Sequence, residues 1–210
     1  TPMTAFMATG VKAAIFAAFL RFFLTGPLYG EKAEGLLVAL QWLAVLTMMV
    51  GNIAAIMQDN FKRMLAYSIV AHSGYAMMGL IAAGMAGQNL LGATSLIYYI
   101  FTYSIMTIGA FGVIMLFERR DDSLIAIADL KGLASRRPGI ALCITIFMLS
   151  LAGIPPTVGF FGKFFVFSAA VQQGLFWLAV WGVISSVISV YYYLRPVVVM
   201  YMSKEEPAVE

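Results

Sequence analysis

Charged residues are scarce in this sequence. Aspartate, glutamate, lysine and arginine make up 11% of its 210 residues, whereas 62% of the residues are hydrophobic. A water-soluble domain of this length needs a far more charged surface to stay in solution. The composition therefore excludes a soluble globular domain and predicts an integral membrane protein.

Residues that build redox centres, metal sites and nucleic-acid interfaces are also few. One cysteine, Cys143, excludes an internal disulfide, and one histidine, His72, excludes a histidine-rich metal site. No Gly-rich phosphate loop, nucleophile–base pair or haem attachment motif is present. The net charge of +3 comes from residues at span ends and in one loop, without the basic stripe that a phosphate backbone requires. We therefore expect no redox centre, cofactor or metal in this chain and no nucleic-acid partner.

Long apolar stretches dominate what is present. A spanning helix needs roughly 20 mostly apolar residues, and six stretches qualify: Met3–Leu24, Leu36–Met57, Met64–Ala83, Leu90–Phe117, Ile140–Val171 and Leu175–Met202. The connectors are short except for a polar loop, Glu118–Pro138. The sequence thus predicts an all-α integral membrane protein of six transmembrane helices, in a single membrane domain over residues 1–210. Because Thr1 and Pro2 precede the first span without an initiator methionine, we expect a fragment of a longer protein.

Basic residues are distributed unevenly between the two sides of the predicted bundle. With six crossings both termini lie on one side, and the opposite side has only Arg21 and Lys32 near its span ends. The side of the termini holds Lys62, Arg63, Arg119, Arg120, Lys131, Arg136, Arg137 and Lys204. Cytoplasmic loops carry an excess of Lys and Arg, so we expect both ends and the long loop on the cytoplasmic side.

The fifth span is interrupted at Gly153-Ile154-Pro155-Pro156. The two prolines remove two backbone donors, so the carbonyls of Leu151 and Ala152 lose their helical partners. Within a bilayer such carbonyls are tolerated only in protein or beside a watery cavity. Lys163 follows about two turns later, and an ionisable residue next to a broken helix is typical of an ion path. We expect Lys163 to be part of such an ion path, and we expect Thr157 to cap the second half-helix.

A second lysine, Lys12, lies near the middle of the first span. An ammonium at this depth is costly, and Lys12 is too central to reach either interface easily. A lysine in such a place can gain and lose a proton near neutrality. We therefore expect Lys12 to take part in proton transfer.

Polar side chains line one face of the third span and one of the fourth, as Ser68, His72 and Tyr75 and as Tyr99, Tyr103 and Thr107. The histidine could relay protons, or it could be a neutral group bonded to a neighbouring helix. The hydroxyls could hold a water chain, or they could bond helix to helix. Tyr191–Tyr193, in the sixth span, are typical of an interface belt or of packing.

Three ordered motifs together resemble the antiporter-like membrane subunits of respiratory complex I. The matching stretches are TPMTAFMATGVKAAIFAAFLRF, GNIAAIMQDNFKRMLAYSIVAHSGY and LSLAGIPPTVGFFGKFF. The resemblance implies a fold of about fourteen helices with two inverted repeats, each containing one broken helix. This chain would be a C-terminal-half fragment that runs from the eighth helix to the thirteenth and holds most of the second repeat.

The resemblance also implies roles for individual residues. Lys12 matches the lysine of the eighth helix that connects two half-channels, and Lys163 matches the lysine of the twelfth helix at the exit half. The family's glutamate on the fifth helix and lysine on the seventh have no counterpart here. Some sister subunits carry a histidine and a lysine in the eleventh helix, where this chain has Tyr99, Tyr103 and Thr107, which weakens a charged relay through the fourth span.

The implied function is proton translocation in an NADH–quinone oxidoreductase, along a lysine and water axis coupled to quinone reduction elsewhere. Flavin, iron–sulfur clusters and quinone are then expected in other subunits. The partners are expected to be lipid, a neighbouring antiporter-like subunit and small membrane subunits, in the bacterial cytoplasmic membrane. The alternatives are a multisubunit Na⁺/H⁺ antiporter, a related membrane-bound hydrogenase or plastid-type dehydrogenase, and a non-conducting scaffold.

Overall fold

Nine α-helices make up most of the chain in the computed structural model, which describes residues 2–25, 34–85, 90–116 and 126–202. They are α1 (Pro2–Phe6), α2 (Lys12–Thr25), α3 (Glu34–Ile56), α4 (Phe61–Met85), α5 (Leu91–Met115), α6 (Leu133–Arg136), α7 (Pro138–Ala152), α8 (Val158–Gln172) and α9 (Phe176–Met202). A π-helical turn, Met7–Val11, joins α1 to α2, and a 3-10 turn, Ile127–Leu130, precedes α6. Within the described ranges there is no strand, although Asn60 and Ala126 form an isolated β-bridge.

Five helical stretches are long and apolar enough to cross a membrane: Met7–Leu24, Gly35–Ile56, Phe61–Met85, Leu91–Met115 and Phe176–Met202. The helices α7 and α8 have 15 residues each, which is too short for a crossing by either alone. Together they form the predicted discontinuous crossing. The all-α membrane fold with a broken fifth span is therefore confirmed, and the ends of the spans differ from the prediction by a few residues.

The break between α7 and α8 is a helix end followed by a proline turn. Gly153 has φ +83°, and the amide of Ile154 donates to Leu149 O, an arrangement typical of a helix terminated by glycine. The Pro155–Pro156 bond is cis. Thr157 occupies the residue before α8, as expected, but its hydroxyl donates to Ile154 O at 2.7 Å and makes no capping bond. The prediction that its side chain caps the second half-helix is therefore wrong.

The helix α4 lies at the centre of the bundle, in contact with α2, α3, α5, α8 and α9. Small residues allow its close approach to α3. A Cβ atom added at Gly51 would lie 2.5 Å from the backbone nitrogen of Ala71, and one at Gly74 would lie 2.8 Å from Ala44 O. Since such contacts leave no room for larger side chains, α3 and α4 form a tightly packed pair.

Two apolar clusters fill the interior, one towards each end of the bundle. The first surrounds Phe23, Leu37 and Ile81, and the second surrounds Phe61, Phe111 and Met200. The clusters meet near the middle of α4, α5 and α9, where the buried polar side chains are concentrated. We call this middle region, which contains His72, Lys163, Ser185 and Ser189, the polar layer.

Among the described residues, one end of the bundle carries five of the basic residues from which the orientation is predicted: Lys62, Arg63, Lys131, Arg136 and Arg137. Asp59 of the α3–α4 connector accepts from Ile127 N and pairs with Arg195 of α9 at 2.5 Å. Of the residues counted, Lys32, Arg119, Arg120 and Lys204 lie outside the described residues, as do Phe117, both chain ends and most of the charged loop. The cytoplasmic placement of this end stays a prediction.

Candidate functional site

Lys163 is buried beside the break between α7 and α8. Its ammonium nitrogen donates to Ala152 O at 2.8 Å and to the hydroxyl of Ser186 at 3.0 Å, and it lies 5.1 Å from the centre of the Tyr75 ring. Ala152 O is one of the two carbonyls that the prolines leave without a helical donor. The break therefore supplies the lysine with an acceptor at the carbonyl end of a half-helix, where positive charge is favoured.

Lys12 is half-buried on the first turn of α2, directly after the π-helical turn. Its ammonium nitrogen donates to Ile69 O of α4 at 2.8 Å and lies 4.6 Å from the centre of the Tyr103 ring. An aromatic face at this distance attracts a cation. A π-helical turn is common at functional sites, and nothing in the sequence pattern pointed to one here.

His72 lies between two tyrosine hydroxyls in the middle of α4. Its Nδ1 is 2.6 Å from Tyr99 Oη, and its Nε2 is 3.0 Å from Tyr193 Oη. A neutral imidazole donates from one nitrogen and accepts at the other, so one tyrosine donates to the ring while the other accepts from it. Both readings of His72 from the sequence, as a relay and as a neutral group bonded to other helices, are compatible with this geometry.

A continuous series of contacts joins the two lysines. The ammonium of Lys12 faces the Tyr103 ring, whose centre is 4.8 Å from that of His72. The His72 ring is 5.6 Å from the Tyr75 ring, which faces Lys163. Five side chains from α2, α4, α5 and α8 thus form one row with His72 at its centre, which we call the lysine–histidine row; all are buried except the half-buried Lys12.

Several hydroxyls near this row have unused hydrogen-bonding capacity. Tyr75 Oη, Tyr103 Oη and Thr107 Oγ1 are buried and have no hydrogen-bond partner among the described residues. Buried polar groups usually bond to protein or to ordered water, so these hydroxyls are suited to holding water. Ser68 instead donates to Leu65 O of its own helix at 2.7 Å. The structure therefore brings the tyrosines together around His72 and leaves Ser68 bonded within α4.

The sixth span contributes polar groups that the sequence analysis missed. Tyr191 is exposed, but Tyr192 and Tyr193 are buried in the polar layer, which agrees with packing, the second of the two predicted roles, and not with an interface belt. Ser185 and Ser189 are also buried on α9. Ser185, Ser189 and Tyr192 follow the i, i+4, i+7 spacing that drew attention to the third span, and this signal could have identified the face.

In the part of the chain that the structure describes, no three or more His, Cys, Asp or Glu residues lie close enough together to hold a metal ion. The thiol of Cys143 is exposed on α7. The lysine, histidine and hydroxyl groups of this layer can each donate or accept protons.

The fold and the polar layer define a multi-pass α-helical membrane protein with a broken helix and two lysines in its interior. The family model described as NADH:quinone oxidoreductase/Mrp antiporter, TM, matches residues 1–189. The chain belongs to this family, and the resemblance stated from the three motifs is confirmed.

Individual relatives support the same assignment. The chain is 58% identical, over 97% of its length, to NADH-quinone oxidoreductase subunit N of Bdellovibrio bacteriovorus, the subunit that the stretches NIAAIMQDNFKRMLAYS and DLKGLASRRP most resemble. A chain in respiratory complex I from Thermus thermophilus is 36% identical over 98% of this chain, with a TM-score of 0.79. A chain of the Mrp complex from Dietzia sp. DQ12-45-1b is 26% identical over 94% of this chain, with a TM-score of 0.75. The chain spans 42%, 43% and 35% of the lengths of these three proteins, respectively.

Proposed function

We propose that this chain is the part of a complex I membrane subunit that carries protons between Lys12 and Lys163. The observation that carries the proposal is the lysine–histidine row, which places two interior lysines on either side of His72. The buried hydroxyls of Tyr75 and Tyr103 can hold the water that passes protons along it. Ionisable residues inside membrane helices are costly and generally serve transport. The relatives named subunit N support the choice of a proton-pumping NADH–quinone oxidoreductase.

The surroundings of Lys163 allow it to change its protonation state. The carbonyl of Ala152, the Ser186 hydroxyl and the Tyr75 ring favour the ammonium form. The apolar surroundings favour the neutral amine. Because these influences oppose one another, a charge that appears or disappears nearby can decide which form is populated.

His72 is the step between the lysines. A proton arriving from the Tyr99 side at Nδ1 can be matched by one leaving from Nε2 towards Tyr193, since both hydroxyls are already at hydrogen-bond distance. Each lysine is separated from His72 by one tyrosine ring. Like charges in a low-dielectric interior repel strongly, so we infer that Lys12, His72 and Lys163 are never all positively charged together.

In this proposal the redox groups of the complex belong to other chains. Flavin, iron–sulfur clusters and quinone lie elsewhere in the complex, and this chain contributes no redox step. Its partners are a neighbouring antiporter-like subunit, small membrane subunits and lipid, in the bacterial cytoplasmic membrane with both ends of the fragment cytoplasmic. Coupling to the redox site passes through interacting charges and waters.

The test is Lys163→Ala in the full-length subunit within the assembled complex. In inverted membrane vesicles we expect proton uptake per NADH oxidised to fall by about tenfold or more, while the complex still assembles. Arg137→Gln, which changes an exposed basic residue before α7, is the matched control and should pump normally. Normal pumping by an assembled Lys163→Ala complex would contradict the proposal.

A secondary Na⁺/H⁺ antiporter subunit is the second candidate, because the chain shares its family and fold with a chain of the Mrp complex. The two candidates differ in what drives transport. Vesicles containing the complete complex would show sodium-dependent proton movement without NADH if the antiporter reading were correct. Proton movement that requires NADH and is indifferent to sodium supports the complex I assignment.

A further inference from the structure

Asn52 joins α3 to α9 at the level of the polar layer. Its side chain is fully buried and uses both ends of its amide. Nδ2 donates to the hydroxyl of Ser185 at 2.5 Å and to the Ser185 carbonyl at 3.2 Å, while Oδ1 accepts from Tyr192 Oη at 2.8 Å. Ser185 and Tyr192 are seven residues apart, or about two helical turns, so they lie on the same face of α9.

The two partners of Asn52 are next to two residues of α9 that bond to the lysine–histidine row. Ser186, which follows Ser185, accepts from the ammonium of Lys163. Tyr193, which follows Tyr192, bonds to Nε2 of His72. The Tyr192 and Tyr193 ring centres are 4.6 Å apart. Asn52 therefore bonds to the residue directly before each of these two α9 residues, which contact the row.

The backbone of α9 is weakened at the same place. Pro196 lies within the helix and is buried, and because proline has no N–H the carbonyl of Tyr192 lacks its usual helical donor. The helix α3, by contrast, is tightly packed against α4 next to Asn52. The neighbouring residue Gly51 packs against Ala71, the residue before His72. The bonds from Asn52 of α3 can thus stabilise α9 close to the point where Pro196 removes a helical hydrogen bond.

We propose that Asn52 is a positioning residue, which sets the rotation and height of α9 so that Ser186 reaches Lys163 while Tyr193 reaches His72. A slip of α9 by one residue would turn it by about 100° and move it by about 1.5 Å, which would break both contacts together. An amide suits this task because it forms directional bonds and does not titrate. The effect on pumping rests on the proposed function, whereas the effect on geometry does not.

The main experiment replaces Asn52 by leucine, Asn52→Leu, in the full-length subunit of the assembled complex. Leucine is similar in size and removes all three hydrogen bonds of the Asn52 side chain. Thr47→Val is the matched control, since Thr47 is on the same helix and donates to Leu43 O of that helix. A density map of each variant gives the Lys163–Ser186 and His72–Tyr193 distances, and vesicles give proton uptake per NADH and its pH profile.

We expect both distances to exceed hydrogen-bond length in Asn52→Leu, with pumping lowered about tenfold and its pH profile altered. Thr47→Val should match the unmodified complex. Unchanged distances in Asn52→Leu would overturn the inference even if Lys163→Ala shows that the proposed function is correct. If Lys163→Ala pumps normally, the proposed function is lost, and the two distances still decide the positioning role.

Two milder variants keep the inference testable if Asn52→Leu does not assemble. Ser185→Ala and Tyr192→Phe each remove one hydroxyl that bonds to Asn52. We expect a partial loss of pumping from each single variant. The double variant should lose more than either, because both hydroxyls are then absent and only the 3.2 Å bond from Asn52 Nδ2 to the Ser185 carbonyl is left. Normal pumping and unchanged distances in the double variant would overturn the positioning role.

Discussion

The ammonium nitrogen of Lys163 lies 2.8 Å from the carbonyl oxygen of Ala152. That carbonyl is left without a helical donor because Pro156, four residues later, has no N–H. The broken helix and the buried lysine are thus two parts of one arrangement, in which an unpaired acceptor is satisfied by an otherwise costly donor. Neither group would be tolerated as easily alone in the interior of a membrane protein.

Gly153→Ala should impair pumping although no charged group is removed. A Cβ atom at Gly153 would lie 3.0 Å from Lys163 Cδ and 3.3 Å from its Nζ, so the lysine must move. Gly174→Ala is the control, because Gly174 has a similar positive φ of +76° and open space around it. Both variants place alanine at a positive φ, which costs roughly 1–2 kcal/mol, and only Gly153→Ala should reduce proton uptake. Equal pumping by the two would show that the lysine position is not critical.

Tyr193→Phe should lower pumping more than Tyr191→Phe does. It removes the hydroxyl at Nε2 of His72, which breaks the proposed step and leaves a buried nitrogen unpaired at a cost of about 1–3 kcal/mol. Tyr191→Phe removes an exposed hydroxyl two positions before it. Proton uptake and the thermal midpoint of the complex should both fall in Tyr193→Phe and stay unchanged in Tyr191→Phe. Similar behaviour of the two variants would argue that His72 is merely a packed neutral residue.

Lys12→Arg should slow turnover although it keeps a positive charge. A guanidinium stays protonated under all conditions relevant to the protein, so it can contact Ile69 O and the Tyr103 ring without releasing a proton. Lys62→Arg, at the start of α4, is the control for the same replacement outside the row. NADH oxidation coupled to proton uptake is the measurement. Full activity of Lys12→Arg would mean that reversible deprotonation of Lys12 is unnecessary.

Gly159→Ala should destabilise the subunit by preventing the two half-helices from packing. A Cβ atom at Gly159 would lie 1.8 Å from Ser150 O, a distance that requires a backbone shift costing about 1–3 kcal/mol or more. Gly139→Ala in α7 has open space around it and should be neutral. Thermal unfolding of the purified complex measures the difference. Equal stability of the two variants would show that the observed packing of α7 against α8 is not required.

Much of the fold could be predicted because the bilayer imposes simple rules on sequence. Apolar stretches of about 20 residues predict spans, and a double proline ends a helix wherever it occurs. The same logic identified Lys12 and Lys163, since a charged group in an apolar stretch stands out without knowledge of its neighbours. The helix periodicity placed Tyr99 and Tyr103 on one face of α5, where the structure shows them beside His72.

The sequence by itself thus determined the class of protein, the number of crossings, the break and the two lysines. The tertiary structure alone decided which groups meet. His72 bonds to Tyr193, 121 residues away, and α9 is bonded to α3 through Asn52, 133 residues from Ser185. Local patterns report which face of a helix is polar, whereas the rotation and height of that helix depend on close contacts such as Gly51 with Ala71. Those contacts join residues that are distant in the chain, and no local spacing encodes them.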